Sequence, residues 1–385
     1  MTLGPLIGAL PWWVIAVGAL VRGRRSRSLD DESPVPPADA PLVSVIVPAR
    51  NEAGTIGRCV RSILGTKYPA MELIVVDDRS EDDTARIVRE MAGHDPRLRL
   101  IEAGPFPPDW FGKQWACRQG ASVARGSILC FADADTWHEP DLLTRSVNAM
   151  HRRGADLLSL AGRQELGSFW ERVVQPQVFS LLAVRYGGTE VVNDSPRATD
   201  KIANGQCMLF GRAAYDEIGG HGAVRQKVAE DLALAQLAFR RGRVLQLVLA
   251  QRQLSTRMYT SLRDIVQGWM KNVYAGTLDA APLGALGRTA MPLLLPLPLV
   301  MTIVPVLVLL VGPLTGASGC LLLWAALCTA AMLVWLVPLY LFFLELPLWY
   351  VVFFPLGATV LLYIVVRSTL RGRRVVWKGR EYRAG

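Results

Sequence analysis

Two pairs of carboxylates stand at the ends of two β-rich runs. Asp77 and Asp78 follow Leu73-Ile74-Val75-Val76, and Asp133 and Asp135 follow Ile128-Leu129-Cys130-Phe131. Side chains alternate along an extended chain, so Asp133 and Asp135, two apart, can project to the same side of a strand end. Carboxylates held that close repel unless a cation lies between them. Hard divalent ions such as Mg2+ or Mn2+ take oxygen ligands, commonly one or two carboxylates together with phosphate oxygens. The pair therefore suits a metal-bound diphosphate better than an all-protein metal cage. A capped turn is the alternative, because Asp is common after strands and before helices.

Further polar groups fall in order around these pairs. Val47-Pro48-Ala49-Arg50-Asn51-Glu52 closes an earlier strand, where polar atoms can meet a base or a ribose. Gly112-Lys113 precedes a helix expected from about Trp115, combining close backbone approach with a cation suited to phosphate. A solvated surface lysine is the other reading of Lys113. Glu230-Asp231 opens a helical run over Leu232–Phe239. An ionised carboxylate there can take a proton from a hydroxyl within hydrogen-bond reach, and it can equally be an ordinary partner of the helix dipole. His221, after Gly219-Gly220, is either an acceptor contact or a histidine satisfied within its loop. The six cysteines show no metal-ligand spacing with the four histidines and read as small apolar fillers in a reducing compartment.

The elements that must carry these groups are legible from periodicity. From Leu42 onward, Val43–Val47, Leu73–Val76, Leu98–Ile101 and Ser127–Phe131 read as strands. Thr55–Leu64, Asp82–Met91 and Trp115–Ala124 read as the helices between them. Such alternation predicts an α/β domain with a mostly parallel sheet, and ligands bind these sheets at the carboxyl ends of the strands.

Both ends of the chain depart from a soluble protein. Overall, 51% hydrophobic and 19% charged residues stand close to the usual ~45–50% and ~25%, but the excess is concentrated. Met1–Val21 carries no charge, and Thr289–Val366 carries only Glu345. A wholly soluble protein is excluded. The net charge of +9 is likewise terminal: Arg22, Arg24, Arg25 and Arg27 supply +4, and the tail from Arg367 supplies about +6. The nearly neutral middle argues against nucleic-acid binding.

The expected organisation is a transmembrane anchor at 1–21, with Trp12 and Trp13 as interfacial rings, then a basic and Pro-rich extended linker at 22–41. The α/β domain follows at 42–255, an interfacial amphipathic segment at 256–288, membrane-embedded helices at 289–366 and a basic tail at 367–385. The catalytic domain is expected on the cytoplasmic face of the inner membrane. Three full C-terminal crossings would then place the basic tail outside, against the positive-inside tendency. Pro292, Pro296, Pro298 and Pro305 make the first of those segments a candidate re-entrant element.

Taken together, Pro48-Ala49-Arg50-Asn51-Glu52, Val75-Val76-Asp77-Asp78-Arg79-Ser80, Gly112-Lys113, Asp133-Ala134-Asp135, Gly219-Gly220-His221 and Glu230-Asp231 resemble the inverting family 2 glycosyltransferases of the GT-A (nucleotide-diphospho-sugar transferase) fold. The likeness spans roughly Leu42–Tyr274. Trp110-Phe111-Gly112-Lys113, Arg257-Met258-Tyr259, Gln267-Gly268-Trp269 and the tail Val376-Trp377-Lys378-Gly379-Arg380-Glu381-Tyr382 are similar to membrane enzymes that glycosylate carotenoid or other polyisoprenoid lipids. The resemblance implies a nucleotide-sugar donor, such as UDP-glucose, bound by Pro48, Ala49, Glu52, Asp77, Asp78, Lys113, Asp133, Ala134 and Trp269. It implies Mg2+ or Mn2+ on Asp133 and Asp135, Asp231 as the catalytic base with Glu230 as its catalytic neighbour, and a membrane lipid as acceptor. No partner protein is specified. The family's Gln-x-x-Arg-Trp motif lacks its arginine here, since Gly268 precedes Trp269 while Met270 and Lys271 follow it. That departure speaks against a processive polysaccharide synthase and leaves Arg257 or Lys271 as candidate cations for the diphosphate. A catalytically silent nucleotide-binding docking protein is the reading from outside the enzymes.

Overall fold

The computed structural model describes residues 3–105, 107–279, 284–372, 374–377 and 380–383. Lys378 and Gly379 of the tail motif, and 280–283 of the amphipathic segment, lie outside the described residues. The described chain divides into two compact units.

The α/β unit covers Ser26–Glu165 and Val192–Met258. It carries β1 (Val43–Ala49), β2 (Met71–Asp77), β3 (Leu98–Glu102), β4 (Ile128–Ala132), β5 (Thr136–His138), β6 (Leu157–Gln164), β7 (Cys207–Gly211) and β8 (Leu245–Thr256). The helical unit covers Met1–Arg25, Leu166–Val191 and Tyr259–Gly372 and carries α1 (Gly4–Gly23). In the α/β unit follow α2 (Ile56–Leu64), α3 (Thr84–Ala92), α4 (Gly112–Val123) and α5 (Leu142–Arg153). Next come α6 (Phe169–Tyr186) of the helical unit, α7 (Thr189–Asp194), and then α8 (Arg212–Glu217), α9 (Gly220–Ala223) and α10 (Glu230–Arg240) of the α/β unit. The helical unit closes with α11 (Leu262–Asp279), α12 (Gly284–Leu294), α13 (Pro296–Val311), α14 (Gly319–Pro338) and α15 (Phe354–Arg371). A short hairpin, β9 (Arg374–Trp377) and β10 (Arg380–Arg383), follows.

Uniformly apolar strands need cover on both faces, and the sheet has it. Val43, Val45 and Val47 of β1 and Leu73 and Val75 of β2 join one core with Ile56, Val60 and Val88 of α2 and α3. Ile46, Ile74 and Val76 join the opposite core with Ala116 and Cys117 of α4. The two-residue alternation of the strands thus separates two layers of helix.

The strand order is β3-β2-β1-β4-β7-β6-β8-β5. β1 to β4 pair in parallel, as alternation of strands and helices predicts, but the sheet as a whole is mixed. β7 runs antiparallel to both β4 and β6, and β5 runs antiparallel to β8. The chain between β6 and β7 leaves the unit as Leu166–Val191, and a return that long is not bound by the handed crossover that keeps neighbouring strands parallel.

Pro48 does not end β1. The strand continues to Ala49 because β2 pairs with it over its whole length, whereas β4 pairs only as far as Ile46↔Phe131. Val43 N–H points to Ala70 O on the β2 side, so alternation turns the proline nitrogen toward the β4 side, beyond the last pair.

The stretch 26–41 is not a free linker. Leu29 is fully buried, and Leu249 N–H donates to Arg27 O at 2.9 Å. Buried Glu32 meets Arg152 at 2.6 Å and Arg153 at 3.3 Å, and Arg145 Nη1 reaches the Glu32 carbonyl at 2.6 Å. Its prolines prevent regular structure, but its apolar and acidic side chains find partners on α5 and β8.

In the helical unit, four helices are long and apolar enough to cross a membrane: Gly4–Gly23, Leu286–Leu314, Gly319–Phe343 and Leu348–Arg371. The proline-rich segment is one of them, interrupted only at Leu295 before Pro296 starts α13. Trp12 sits mid-helix, not at an end. Its ring meets Trp324 edge-on at 5.7 Å and its indole N–H donates to Met301 O at 3.2 Å. α6, which periodicity did not reveal, packs against α15 at Gly357, where any added Cβ would collide with the Val173 carbonyl.

Candidate active site

The carboxyl ends of β2, β1 and β4 lie side by side along one edge of the sheet in the α/β unit. After β1 and β2 the chain makes two tight loops, with Asn51 and Arg79 both at positive φ, and the loops brace each other. Asn51 N–H donates to Ser80 Oγ at 3.0 Å, Glu81 N–H donates to Asn51 Oδ1 at 2.8 Å, and Arg50 Nη1 reaches the Asp78 and Arg79 carbonyls at 2.8 Å each. Pro48 pairs with Val76 and Ala49 with Asp77, and Asp78 N–H donates to Ala49 O at 2.7 Å. Asp77 and Asp78 are buried; Asp77 Oδ2 accepts from Ser80 N–H, while its Oδ1 finds no protein partner among the described residues. Glu52 Oε2 accepts from Thr55 Oγ1 at 2.9 Å.

Asp133, Ala134 and Asp135 occupy the turn between β4 and β5, and this turn is pinned from below. The Asp133 carbonyl accepts Thr136 Oγ1 at 2.7 Å and Cys59 Sγ at 3.7 Å, and Asp133 N–H donates to Gln206 O at 3.2 Å. Burial first, then the charges of Asp133 and Glu52, push the Asp135 carboxyl up to about 7. Crowding of that kind is what a divalent cation relieves, so the donor set fits one. Among the described residues no three His, Cys, Asp or Glu side chains form a ready-made metal cage.

Lys113, on the first turn of α4, joins the two acidic motifs. Its ammonium lies 2.7 Å from Asp133 Oδ1 and 2.6 Å from Glu230 Oε1. Burial opposes its charge, but Asp133 and Glu230 outweigh burial and hold the lysine well above its ordinary range. It is not a solvated surface residue. Glu230 and Asp231 open α10, and both Asp231 oxygens accept backbone N–H groups, Oδ1 from Leu232 at 2.7 Å and Oδ2 from Gly205 at 2.9 Å. Burial, seconded by the Glu230 charge, raises Asp231 to about 6, with Lys113 opposing.

Residues 44–219 match the model of Glycosyl transferase family 2. The chain is 29% identical over 250 residues to the 4,4'-diaponeurosporenoate glycosyltransferase of Staphylococcus haemolyticus, covering 62% of this chain and 63% of that protein. It is 27% identical over 243 residues to the Staphylococcus aureus (strain USA300) protein of the same name, with the same coverage. The match thus spans just under two thirds of the length of these relatives. In fold, the chain is similar to the mannosyltransferase PcManGT from Pyrobaculum calidifontis, solved with GDP-Man and Mn2+, at 19% identity and a TM-score of 0.54 over 96% of both chains.

The α/β unit holds Pro48, Ala49, Glu52, Asp77, Asp78, Lys113, Asp133, Ala134, Asp135, Glu230 and Asp231; the candidate cation Lys271 belongs to the helical unit, and so does Trp269. There it lies on α11, edge-on to Tyr259 at 6.2 Å, with its buried indole N–H unpartnered among the described residues. His221 is no acceptor contact. It is buried, its Nδ1 and the Tyr215 hydroxyl lie 2.9 Å apart, and burial lowers it to about 3, so the ring is neutral. Sequence reasoning missed Asn204-Gly205-Gln206, the loop before β7 that holds both Asp133 and Asp231 through its backbone. Backbone contacts leave little trace in residue type; the one available signal was a glycine followed by a strand.

Proposed function

We propose that the α/β unit is the domain of an inverting family 2 glycosyltransferase that moves a sugar from a nucleotide-diphosphate donor, such as UDP-glucose, to a membrane lipid of carotenoid or isoprenoid type. The observation that carries the reading is the Lys113 bridge, which sets the Asp133-Ala134-Asp135 turn and the Glu230-Asp231 helix start against the same ammonium. In this reading Pro48, Ala49, Glu52, Asp77 and Asp78 bind the nucleoside, and the unpartnered Asp77 Oδ1 suits an N–H or O–H donor of the base or ribose. Asp133 and Asp135 would hold Mg2+ or Mn2+, the Lewis acid that offsets charge on the departing diphosphate. The fold relative was solved with GDP-Man and Mn2+, a ligand pair of the same classes.

Asp231 is the base. Its carboxylate takes the proton of the acceptor hydroxyl as that oxygen bonds to the anomeric carbon, and the bond from that carbon to the diphosphate oxygen breaks with its electron pair leaving on the nucleoside diphosphate. One displacement inverts the configuration. A carboxylate acceptor would arrive already ionised and need only to be positioned. The four candidate membrane helices among the described residues support an apolar acceptor and residence in a membrane; Arg22, Arg24, Arg25 and Arg27 after the first of them are the reason to set the domain on the cytoplasmic side of the inner membrane. The anchor, amphipathic segment and tail serve that attachment.

The experiment is incubation of purified protein in lipid nanodiscs with a panel of sugar nucleotides and isoprenoid or carotenoid acceptors, followed by mass spectrometry of the extracted lipids. A singly glycosylated lipid is expected. Long glycan made from the donor alone, or no consumption of any donor, overturns the reading.

A further inference from the structure

Lys113 makes a connection that the proposed reaction does not by itself require. The oxygen of Asp133 that it meets belongs to the carboxylate proposed to hold a divalent ion, and the backbone that carries that carboxylate is held in place. The Asp133 carbonyl is taken by Thr136 and Cys59, and its N–H is taken by Gln206. The start of α4 is fixed as well: Phe111 N–H donates to Arg225 O at 3.0 Å, and Gln114 Nε2 donates to Lys227 O at 2.5 Å. With both backbones held, adjustment falls to side chains, and the four-carbon stem of the lysine has the longest reach. Glu230, itself buried, gives the ammonium a second anchor on which to turn.

We infer that Lys113 is a positioning residue acting as the pocket's resident cation, which must release Asp133 before that carboxylate can take a divalent ion, and which the donor's diphosphate draws off. The inference rests on the donor-site reading above. A single ammonium then performs two tasks in turn. In the empty pocket it keeps the two acidic motifs from repelling; in the loaded pocket it neutralises diphosphate while staying anchored to Glu230. The consequence is linkage. Divalent ion alone competes with Lys113 and binds weakly, whereas ion and nucleotide together bind cooperatively, each raising the affinity for the other by the same factor.

The test measures Mn2+ binding to the full-length detergent-solubilised protein by electron paramagnetic resonance of the free ion, with and without UDP. Wild type, Lys113→Met and Lys113→Arg are compared. Without UDP, Lys113→Met is expected to bind Mn2+ about tenfold more tightly than wild type, and the enhancement by UDP is expected to shrink by a similar factor. Lys113→Arg, which retains a cation, is expected to keep a wild-type-like enhancement. Equal or weaker Mn2+ binding by Lys113→Met in the absence of UDP overturns the inference. Circular dichroism reports whether that variant folds. Where it does not, Lys113→Gln, which drops the charge while keeping an N–H donor, carries the same expectation. Wild type that binds neither Mn2+ nor UDP overturns the donor-site reading itself, and the inference with it.

Discussion

The backbone N–H of Gly205 donates to Oδ2 of Asp231 at 2.9 Å, and a Cβ added at 205 would lie 3.1 Å from that same oxygen. A methyl group there is tolerated by the backbone but displaces the carboxylate by a few tenths of an ångström. Misplacement of a reacting group is costly because the chemistry depends on orientation, so Gly205→Ala is expected to lower kcat on the order of 10- to 100-fold. Donor binding, in which Asp231 takes no part, should be largely preserved. Calorimetric titration with UDP beside a transfer assay separates the two; a loss confined to UDP affinity would count against the assignment of Asp231.

Asp231, raised to about 6 by burial and then by Glu230, sets a pH dependence. The base must be ionised, so for a hydroxyl acceptor kcat/KM is expected to fall about tenfold per pH unit below about 6 and to level off above it. The same shift has the opposite sign for stability. A carboxyl whose folded pKa lies above its ordinary 3.8 favours the folded state while protonated, and that contribution is lost as pH rises through about 6. Asp231→Asn should therefore melt higher than wild type at pH 8 while losing transfer. A lower melting temperature at pH 8 would show that the carboxylate is instead supported by its surroundings.

Asp135 is crowded by Asp133 and Glu52 in the metal-free pocket. Replacing it with Asn removes a repelling charge, so in chelator Asp135→Asn is expected to melt roughly 2 °C above wild type. With Mn2+ and donor present the order of merit reverses, and transfer by Asp135→Asn or Asp135→Ala should fall on the order of 100-fold. Undiminished transfer by either variant under chelation would remove the metal from the mechanism.

What the sequence disclosed and what it concealed divide along a physical line. Strand ends could be read because the apolar runs Val43–Val47 and Leu73–Val76 give way to polar residues, Arg50-Asn51-Glu52 beyond one and Asp77-Asp78 beyond the other, and a buried strand needs no tertiary information to announce itself. The acidic motifs could be read for the same reason: Asp135 or Asp231 is costly to bury, and its presence asks for a partner. The partner itself could not be read. Lys113 meets Glu230 across 117 positions of chain, and nothing in Gly112-Lys113 specifies which carboxylate it meets. β7 was hidden because Cys207–Gly211 is short and its direction is set by a long excursion, and α6 because Pro176 and a mixed polar surface disguise its period. Gln177 explains that surface: its Nε2 donates to the Tyr340 hydroxyl at 3.2 Å, inside the helical unit, so a polar residue marks a buried face there.

Gly357 is the point at which α15 lies directly against α6, and it has no room for a side chain. Between apolar helices, close backbone approach at small residues replaces the hydrophobic driving force available in water. Gly357→Leu is expected to force the two helices apart and to lower the detergent-resistant melting temperature by several degrees, while Gly276→Leu on α11, where an added Cβ meets nothing, should have little effect. Comparable losses from both substitutions would mean that bulk, not contact, decides.

Leu29 tests whether the stretch after the first helix is structural or merely a tether. A solvated linker would tolerate Leu29→Ala without measurable change. Here the side chain is fully buried in the core that also holds Val248 and Met150, and truncating a buried leucine costs about 2–4 kcal/mol through lost transfer energy and the cavity left behind. The expected result is a clear fall in the melting temperature of the α/β unit, followed by the tryptophan fluorescence of Trp137, with no change in UDP affinity among the molecules that remain folded. An unchanged melting temperature would return residues 26–41 to the role of a passive connection, and would mean that the contacts of Glu32 with Arg152 and Arg153 are incidental surface pairs.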